Sequence, residues 1–368
     1  MIIKHISLVN YRGYKKADIN FGYGVNFFIG NNGSGKTNLL EAIYFLALAK
    51  SYKTADALTI RTDNEFARIT AKISDEKDFT SKVIITKAGK KISLNNKEID
   101  KLSDYIGKLT VLAFLPEDMD LIKGPPKNRR NFLDMIIGQI DRNYLVELVS
   151  YRNILKQRNE TLKLIYDKKS KDFTLLDIYT EQLAKSAQLI VDYRKLFVEK
   201  INSELAQMYH YLAANSKNIL FNYEPVISDN ILNQMKDRYD KDLIFKTTSI
   251  GPHRDDYVFF IDNADAKDFA SQGEQRVIIL AIILAIANIV MKEKNIKPFL
   301  LLDDVFSELD YLKQNQLVKY LNSTNLQSII TTTNIKDINS NFLINSKIFS
   351  VKNHLVKEDI INGKPREQ

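Results

Sequence analysis

The stretch "VNFFIGNNGSGKTNLLEAIYFLALAK", residues 25–50, decides how the rest of the chain is read. Its five leading residues, VNFFI, are apolar but for Asn26 and predict a short buried strand, and the residues from Thr37 onward have the composition and apolar spacing of a helix. Between them, "GNNGSGKT" (30–37) fits the spacing G-x-x-x-x-G-K-[ST] at Gly30, Gly35, Lys36 and Thr37. Glycines at 30, 33 and 35 let a loop turn tightly and aim backbone N–H groups inward, and the helix start adds its positive dipole end. Such a loop, made of Gly30, Asn31, Asn32, Gly33, Ser34, Gly35, Lys36, Thr37 and Asn38, is expected to cradle the phosphates of ATP. Lys36 would reach the β- and γ-phosphates and Thr37 would ligate Mg²⁺ through its hydroxyl. The plain alternative is an ordinary glycine-rich turn, but the strand before and the helix after are the context a phosphate loop requires.

A phosphate loop needs acidic partners. "PFLLLDDVFSELD" (298–310) predicts a strand buried on both faces that ends in two carboxylates. Asp303 is placed to hold Mg²⁺ opposite Thr37, and Asp304 to orient or deprotonate the attacking water. Aspartate is one methylene shorter than glutamate, so hydrolysis is expected to be slow. A second glycine turn, "FASQGEQRVIIL" (269–280), runs into the longest apolar segment, 277–291. That segment falls short of the roughly 20 residues of a membrane span and is interrupted by Asn288, which predicts a buried helix. Taken alone, Ser271 and Glu274 read as a capping box at its start.

Composition narrows the classes. The chain has 368 residues, 45% hydrophobic and 27% charged, enough for two or three folding units with a real core. It has no cysteine, which excludes disulfides and zinc–thiolate sites and fits a reducing cytosol. The N-terminus lacks the apolar core of a signal peptide, and no membrane partner is expected. The formal net charge is +8, and residues 121–170 alone carry eleven Lys/Arg against five Asp/Glu. Lys123, Lys127, Arg129, Arg130, Arg152, Lys156 and Arg158, with Arg142, Lys163, Lys168 and Lys169, are therefore candidates for a phosphate-binding DNA surface. Such contacts read no bases, so binding would be sequence-tolerant and salt-sensitive. Solvated helix faces are the competing reading.

Strand patterns over 1–122 give way at "KGPPKNRR" (123–130) to a nearly proline- and glycine-free helical stretch up to about residue 215. Strands return with "NILFNY", "DYVFFI", the acidic strand and "LQSIITTT". The expected division is an N-terminal half-head (1–122), an inserted helical lobe (123–215) and a C-terminal half-head (216–368). The fold class is thus α/β, a P-loop ATPase head built from both chain ends with an inserted α-helical lobe.

"ASQGEQR" (270–276) resembles the signature sequence of the ABC-type ATPases, with Ser271, Gly273, Glu274 and Gln275 in matching places and Ala270 and Gln272 departing from it. "SELD" (307–310) resembles the D-loop of the same superfamily. The resemblance implies that Ser271, Gly273 and Gln275 cap ATP held by a second, antiparallel copy, so that two chains form two composite sites. "NYRGY" (10–14), "FLPEDMDLIKGPPKNRRNFLD" (114–134) and "SIGPHRDD" (249–256) are similar to the set found in the RecF family of bacterial recombination mediators, and together these stretches span most of the chain. That likeness implies an SMC- and Rad50-like head without the long coiled coil. It implies ATP-dependent homodimerisation on double-stranded DNA and ssDNA–dsDNA junctions, and slow DNA-stimulated hydrolysis. It also implies action with RecO and RecR to load RecA in gap repair, in the cytoplasm at the nucleoid. Arg12 would lie near the nucleotide, or else be a surface arginine. The glutamine and histidine that transporter ATPases use to sense the γ-phosphate are absent, with Glu117 and Asp118 near the first place and Thr332 or Thr333 at the second. His253 could serve as a base, though a turn held by Arg254 and Asp255 is the simpler account. A transporter subunit or a chromosome-organising head are the alternative functions.

Overall fold

The computed structural model describes residues 1–75, 77–168, 173–227, 229–333 and 346–359. Along the chain, the first strands are β1 (Ile2–Tyr11), β2 (Tyr14–Asn20) and β3 (Val25–Ile29), followed by helix α1 (Lys36–Leu48). Strands β4 (Phe66–Ser74), β5 (Phe79–Thr86), β6 (Gly89–Leu94) and β7 (Lys97–Glu98) precede α2 (Leu102–Tyr105) and β8 (Val111–Phe114). A helical run follows: α3 (Asp120–Lys123), α4 (Pro126–Ile140), α5 (Arg142–Tyr166) and α6 (Phe173–Ala213). Then come β9 (Ile219–Glu224), α7 (Ile231–Asp237), α8 (Tyr239–Phe245), β10 (Asp256–Ile261), β11 (Ala264–Asp265), α9 (Ala266–Phe269) and α10 (Gln272–Lys294). The chain continues through β12 (Phe299–Leu302), α11 (Tyr311–Thr324), β13 (Ser328–Thr332), β14 (Lys347–Lys352) and β15 (Leu355–Asp359).

Two compact units result. The first comprises 1–118, 208–215 and 272–368, and the second 119–207 and 216–271. Residues 216–271 thus fall with the helical lobe, not with 272–368 as the strand pattern suggested. The reason is pairing: β9 and β10 bond to each other, register Tyr257↔Tyr223, and with β11 form their own three-stranded sheet. "NILFNY" and "DYVFFI" alternate buried and less buried residues, as a sheet covered on one face does.

In the first unit, one antiparallel sheet runs β2-β1-β4-β5-β6-β7 and a second runs β15-β14-β3-β13-β12-β8. The central strands of the second sheet pair parallel and are buried on both faces, which explains the wholly apolar sequences of β8 and β12. Strand β3 lies between β13 and β14, so the strand entering the phosphate loop is held on both edges by the C-terminal third of the chain. The apolar segment that opens α10 is a buried helix, with Val277–Ala287 all enclosed. Tyr320 of α11 donates to Asn288 Oδ1 at 2.8 Å, which satisfies the polar residue interrupting that segment. Among the described residues, no helix is long and apolar enough to cross a membrane.

Candidate nucleotide site

Gly35 caps α1 with φ 114, a left-handed conformation that glycine adopts without strain. Gly30 has a different reason to be glycine, since a Cβ there would come within 2.2 Å of the Val351 carbonyl on β14. The Lys36 ammonium folds back over the loop it follows, donating to Gly30 O at 2.5 Å and Asn31 O at 3.1 Å. Burial lowers its pKa, while Asp304 and Asp303 pull the other way. These carbonyl bonds are ones a phosphate can replace with stronger, charge-assisted partners.

Thr37, one residue into α1, donates its hydroxyl to Asp303 Oδ1 at 3.1 Å, so the two residues expected at the metal do meet across the sheet end. Thr331, at the end of β13, donates to the same oxygen at 2.6 Å and accepts from Asp304 N–H at 2.9 Å. It therefore ties the two carboxylate residues together. Asp304 has φ 51, a left-handed backbone uncommon for a residue with a side chain. Its Oδ1 is buried with no hydrogen-bond partner among the described residues. An orphaned carboxylate oxygen beside a hydroxyl–carboxylate pair is a donor set for a hard cation that keeps waters and substrate oxygens in its shell, which fits Mg²⁺. Among the described residues no cluster of three or more acidic, His or Cys side chains could hold a metal unaided. Ser307 donates its hydroxyl to Asp304 O at 2.8 Å, and Asp310 caps α11 by accepting from Lys313 N–H at 3.0 Å.

These groups open on one cleft of about 230 Å³, lined by Asn32, Gly33, Gly35, Lys36, Thr37, Asn38, Pro116, Asp303 and Asp304. Gly273 and Gln275 are not among its lining residues. Ser271 is exposed just ahead of α10, and Gln275 is buried within it. Arg12 does not line this cleft. Its guanidinium grips the buried Glu41 of α1 at 2.6 and 2.8 Å and also donates to Thr54 Oγ1 and Leu58 O. Arg12 does line a second cleft of about 400 Å³, with Gly13 and Arg61–Asn64. Near the expected place of the missing glutamine, where Glu117 is exposed, Asp118 accepts from Leu115 N–H at 2.6 Å, and burial pushes its carboxyl up to about 7. Thr332 is buried at the end of β13 and Thr333 is exposed beyond it.

The basic block divides. Lys123, Lys127 and Lys156 are exposed, and no ion pair engages them among the described residues. Arg152 is exposed while pairing with Asp134 at 3.1 Å, and Lys163 pairs with Glu160. Arg129 grips Asp256 with both arms at 2.8 and 2.9 Å, and Arg130 donates to Asp255 O. Arg158 departs most from expectation. It is fully buried, bonded to Asp242, Thr180 and Thr248, and cannot form part of a surface. Arg142 and Lys168 are exposed, and Lys169 lies outside the described residues.

"GPHRDD" builds the interior of the second unit. Asp255 accepts from Arg194, Val226 N–H and the Tyr223 hydroxyl, and Pro252 O accepts from Arg194 at 2.7 Å. His253 Nε2 faces Thr248 O at 3.1 Å, so it carries the proton, and Nδ1 accepts from the Tyr151 hydroxyl at 2.6 Å. Burial lowers its pKa to about 4, and it is neutral and structural here. Arg254 is exposed.

Phosphate loop, paired acidic strand end and signature helix on this mixed sheet define an ABC-type ATPase head. Residues 2–357 match the RecF/RecN/SMC N-terminal domain family. A DNA replication and repair protein RecF from Streptococcus agalactiae is 40% identical over 351 residues, covering 92% of this chain and 94% of that protein. A recombination mediator protein RecF solved with ATP, described within the RecFOR pathway, superposes with a TM-score of 0.87 at 29% identity, covering 97% of this chain and 99% of that one. An SMC head bound to the C-winged helix domain of ScpA shares the fold alone, with a TM-score of 0.56 at 16% identity. The chain belongs to the RecF family.

Proposed function

We propose that the chain is an ATP-dependent DNA-binding ATPase of recombinational gap repair, in which ATP joins two copies on DNA. The observation that carries the dimer is Gly273. A Cβ there would meet nothing within 4 Å, and the residue sits in the first turn of α10 without a positive φ. Glycine in a helix costs about 0.5–1 kcal/mol relative to alanine, and nothing in this chain requires it. It leaves room for an incoming phosphate at a helix N-terminus. The chain's own cleft does not use this residue, so the phosphate would belong to a second copy.

In the composite site, Lys36 and the loop N–H groups would hold the β- and γ-phosphates, and Thr37 with Asp303 would hold a Mg²⁺ ion, which would neutralise phosphate charge. Asp304 orients and deprotonates water. Ser271 and the Gly273 N–H of the partner copy, with Gln275 behind them, close the site. Arg12, whose charge is matched by Glu41, and Arg61 line the second cleft, where the remainder of the nucleotide would lie. Lys123, Lys127, Arg152 and Lys156 form the phosphate-contacting DNA surface. The relative solved with ATP and described within the RecFOR pathway supports a recombination-mediator role. Action with RecO and RecR to load RecA, at ssDNA–dsDNA junctions in the cytoplasm, completes the proposal.

The deciding experiment is sedimentation with ATP and Mg²⁺, with and without duplex DNA. The parent chain is expected to pass from monomer to dimer with ATP. Gly273→Ala and Ser271→Arg are expected to bind ATP as monomers and remain so. Normal ATP-driven dimerisation of Ser271→Arg would end the composite-site reading.

A further inference from the structure

The cleft is built almost wholly from the phosphate loop and the acidic strand end, yet the loop's outer side rests on a residue from the far end of the chain. Strands β14 and β15 form a hairpin whose turn, Asn353–His354, has φ 49 and 61, the left-handed pair of a tight two-residue turn. His354 N–H donates to Ser34 O at 2.8 Å, inside the loop. The imidazole lies edge-on to Tyr14, with centroids 5.3 Å apart at 90°. The Tyr14 hydroxyl in turn donates to Gly35 O at 3.0 Å. A Cβ added at Gly35 would lie 2.7 Å from His354 Cδ2, and one added at Gly13 would lie 2.1 Å from Nε2. The ring is therefore seated between two glycines, one in the phosphate loop and one lining the second cleft. On β14, just before this turn, the Val351 carbonyl occupies the space beside Gly30.

We propose that His354 is a positioning residue for the nucleotide: it braces the phosphate loop from outside and thereby sets affinity for the ATP phosphates. The inference rests on the ATP reading above. A loop whose N–H groups already point inward loses less freedom on binding, so the brace contributes to affinity by preorganisation. The hydrolysis proposed for Asp303 and Asp304 would not pass through this ring.

The test is titration of a fluorescent ATP analogue onto the full chain, with steady-state hydrolysis and unliganded melting measured beside it. His354→Ala is expected to weaken binding about tenfold and raise KM in step, leaving kcat within about twofold. His354→Phe keeps a ring of similar shape and is expected to bind within about twofold of the parent. Gly13→Ala, which displaces the ring, is expected to behave like His354→Ala. Unchanged affinity in His354→Ala overturns the proposal, as does a fall in kcat at constant KM. So does a matching loss of affinity and melting temperature that phenylalanine leaves unrepaired. If the parent chain itself bound no ATP analogue, the ATP reading would fail instead, so the two failures are distinguishable.

Discussion

At the scale of single residues, two carboxyl groups are held in unfavourable states, Asp304 in the cleft and Asp118 two residues beyond the cleft-lining Pro116. Asp304 combines a left-handed backbone with a buried, unpartnered carboxylate oxygen, and such strain persists where function requires it. Asp304→Asn is expected to bind ATP and dimerise but to turn over about a hundredfold more slowly, as single-turnover hydrolysis will show. Unchanged turnover would remove Asp304 as the base. Asp118 is the second group, its carboxyl raised by burial to about 7. A carboxyl that keeps its proton longer when folded stabilises the fold at low pH and loses that contribution as pH rises from about 4 to about 7. Asp118→Asn has no such titration. The melting temperature of the parent relative to this variant is therefore expected to fall between about pH 4.5 and 7.5, and a constant difference would show that the proton is not held. None of this could be read from the sequence around Asp118, because desolvation is a property of neighbours the chain brings from elsewhere. The same is true of Thr331, one residue before the place of the missing histidine, whose role depends on β12 and β13 lying side by side.

At the scale of elements, what was legible was what is contiguous. The phosphate loop, its strand and its helix occupy neighbouring positions, and the acidic strand ends where its apolar run ends, so both could be placed from spacing. The basic helices were less legible. On α5, Arg152, Lys156 and Arg158 look alike in sequence, yet Arg158 meets Asp242 of α8 and is enclosed, while Lys156 faces solvent. What distinguishes them is partners distant in sequence, Asp242 foremost at 84 positions away, with Thr180 and Thr248. Arg158→Ala strands Asp242 as an unpaired buried charge and is expected to cost about 3–5 kcal/mol, measured by denaturant unfolding. Its effect on DNA affinity in the folded protein is expected to be small, which would confirm that it belongs to the interior. The strands β9 and β10 misled in a related way, because a strand pattern announces that a residue is in a sheet but not which sheet.

At the scale of the whole molecule, ATP and DNA are proposed to act through charge on opposite footings. The nucleotide meets a few enclosed groups, whereas DNA would meet exposed lysines that retain their water and counterions. Changing Lys123, Lys127 and Lys156 together to Glu is expected to weaken binding equally across duplexes of unrelated sequence. The slope of log affinity against log salt should become shallower by about one for each DNA phosphate no longer neutralised. ATP affinity without DNA should be unchanged. A loss of binding confined to one DNA sequence would point to base contacts and away from this surface.

The placement of β3 between β13 and β14 has a consequence for how the protein is made. The strand that enters the phosphate loop leaves the ribosome early, but the strands that flank it emerge about 300 residues later. At translation rates of about 5–20 residues per second, the nascent N-terminus waits roughly 15–60 seconds with an unpaired apolar edge. His354, which braces the loop, arrives later still. Nucleotide competence is thus deferred until residues 328–354 have been made, and a chain released before them would present an aggregation-prone edge rather than a partial ATP site.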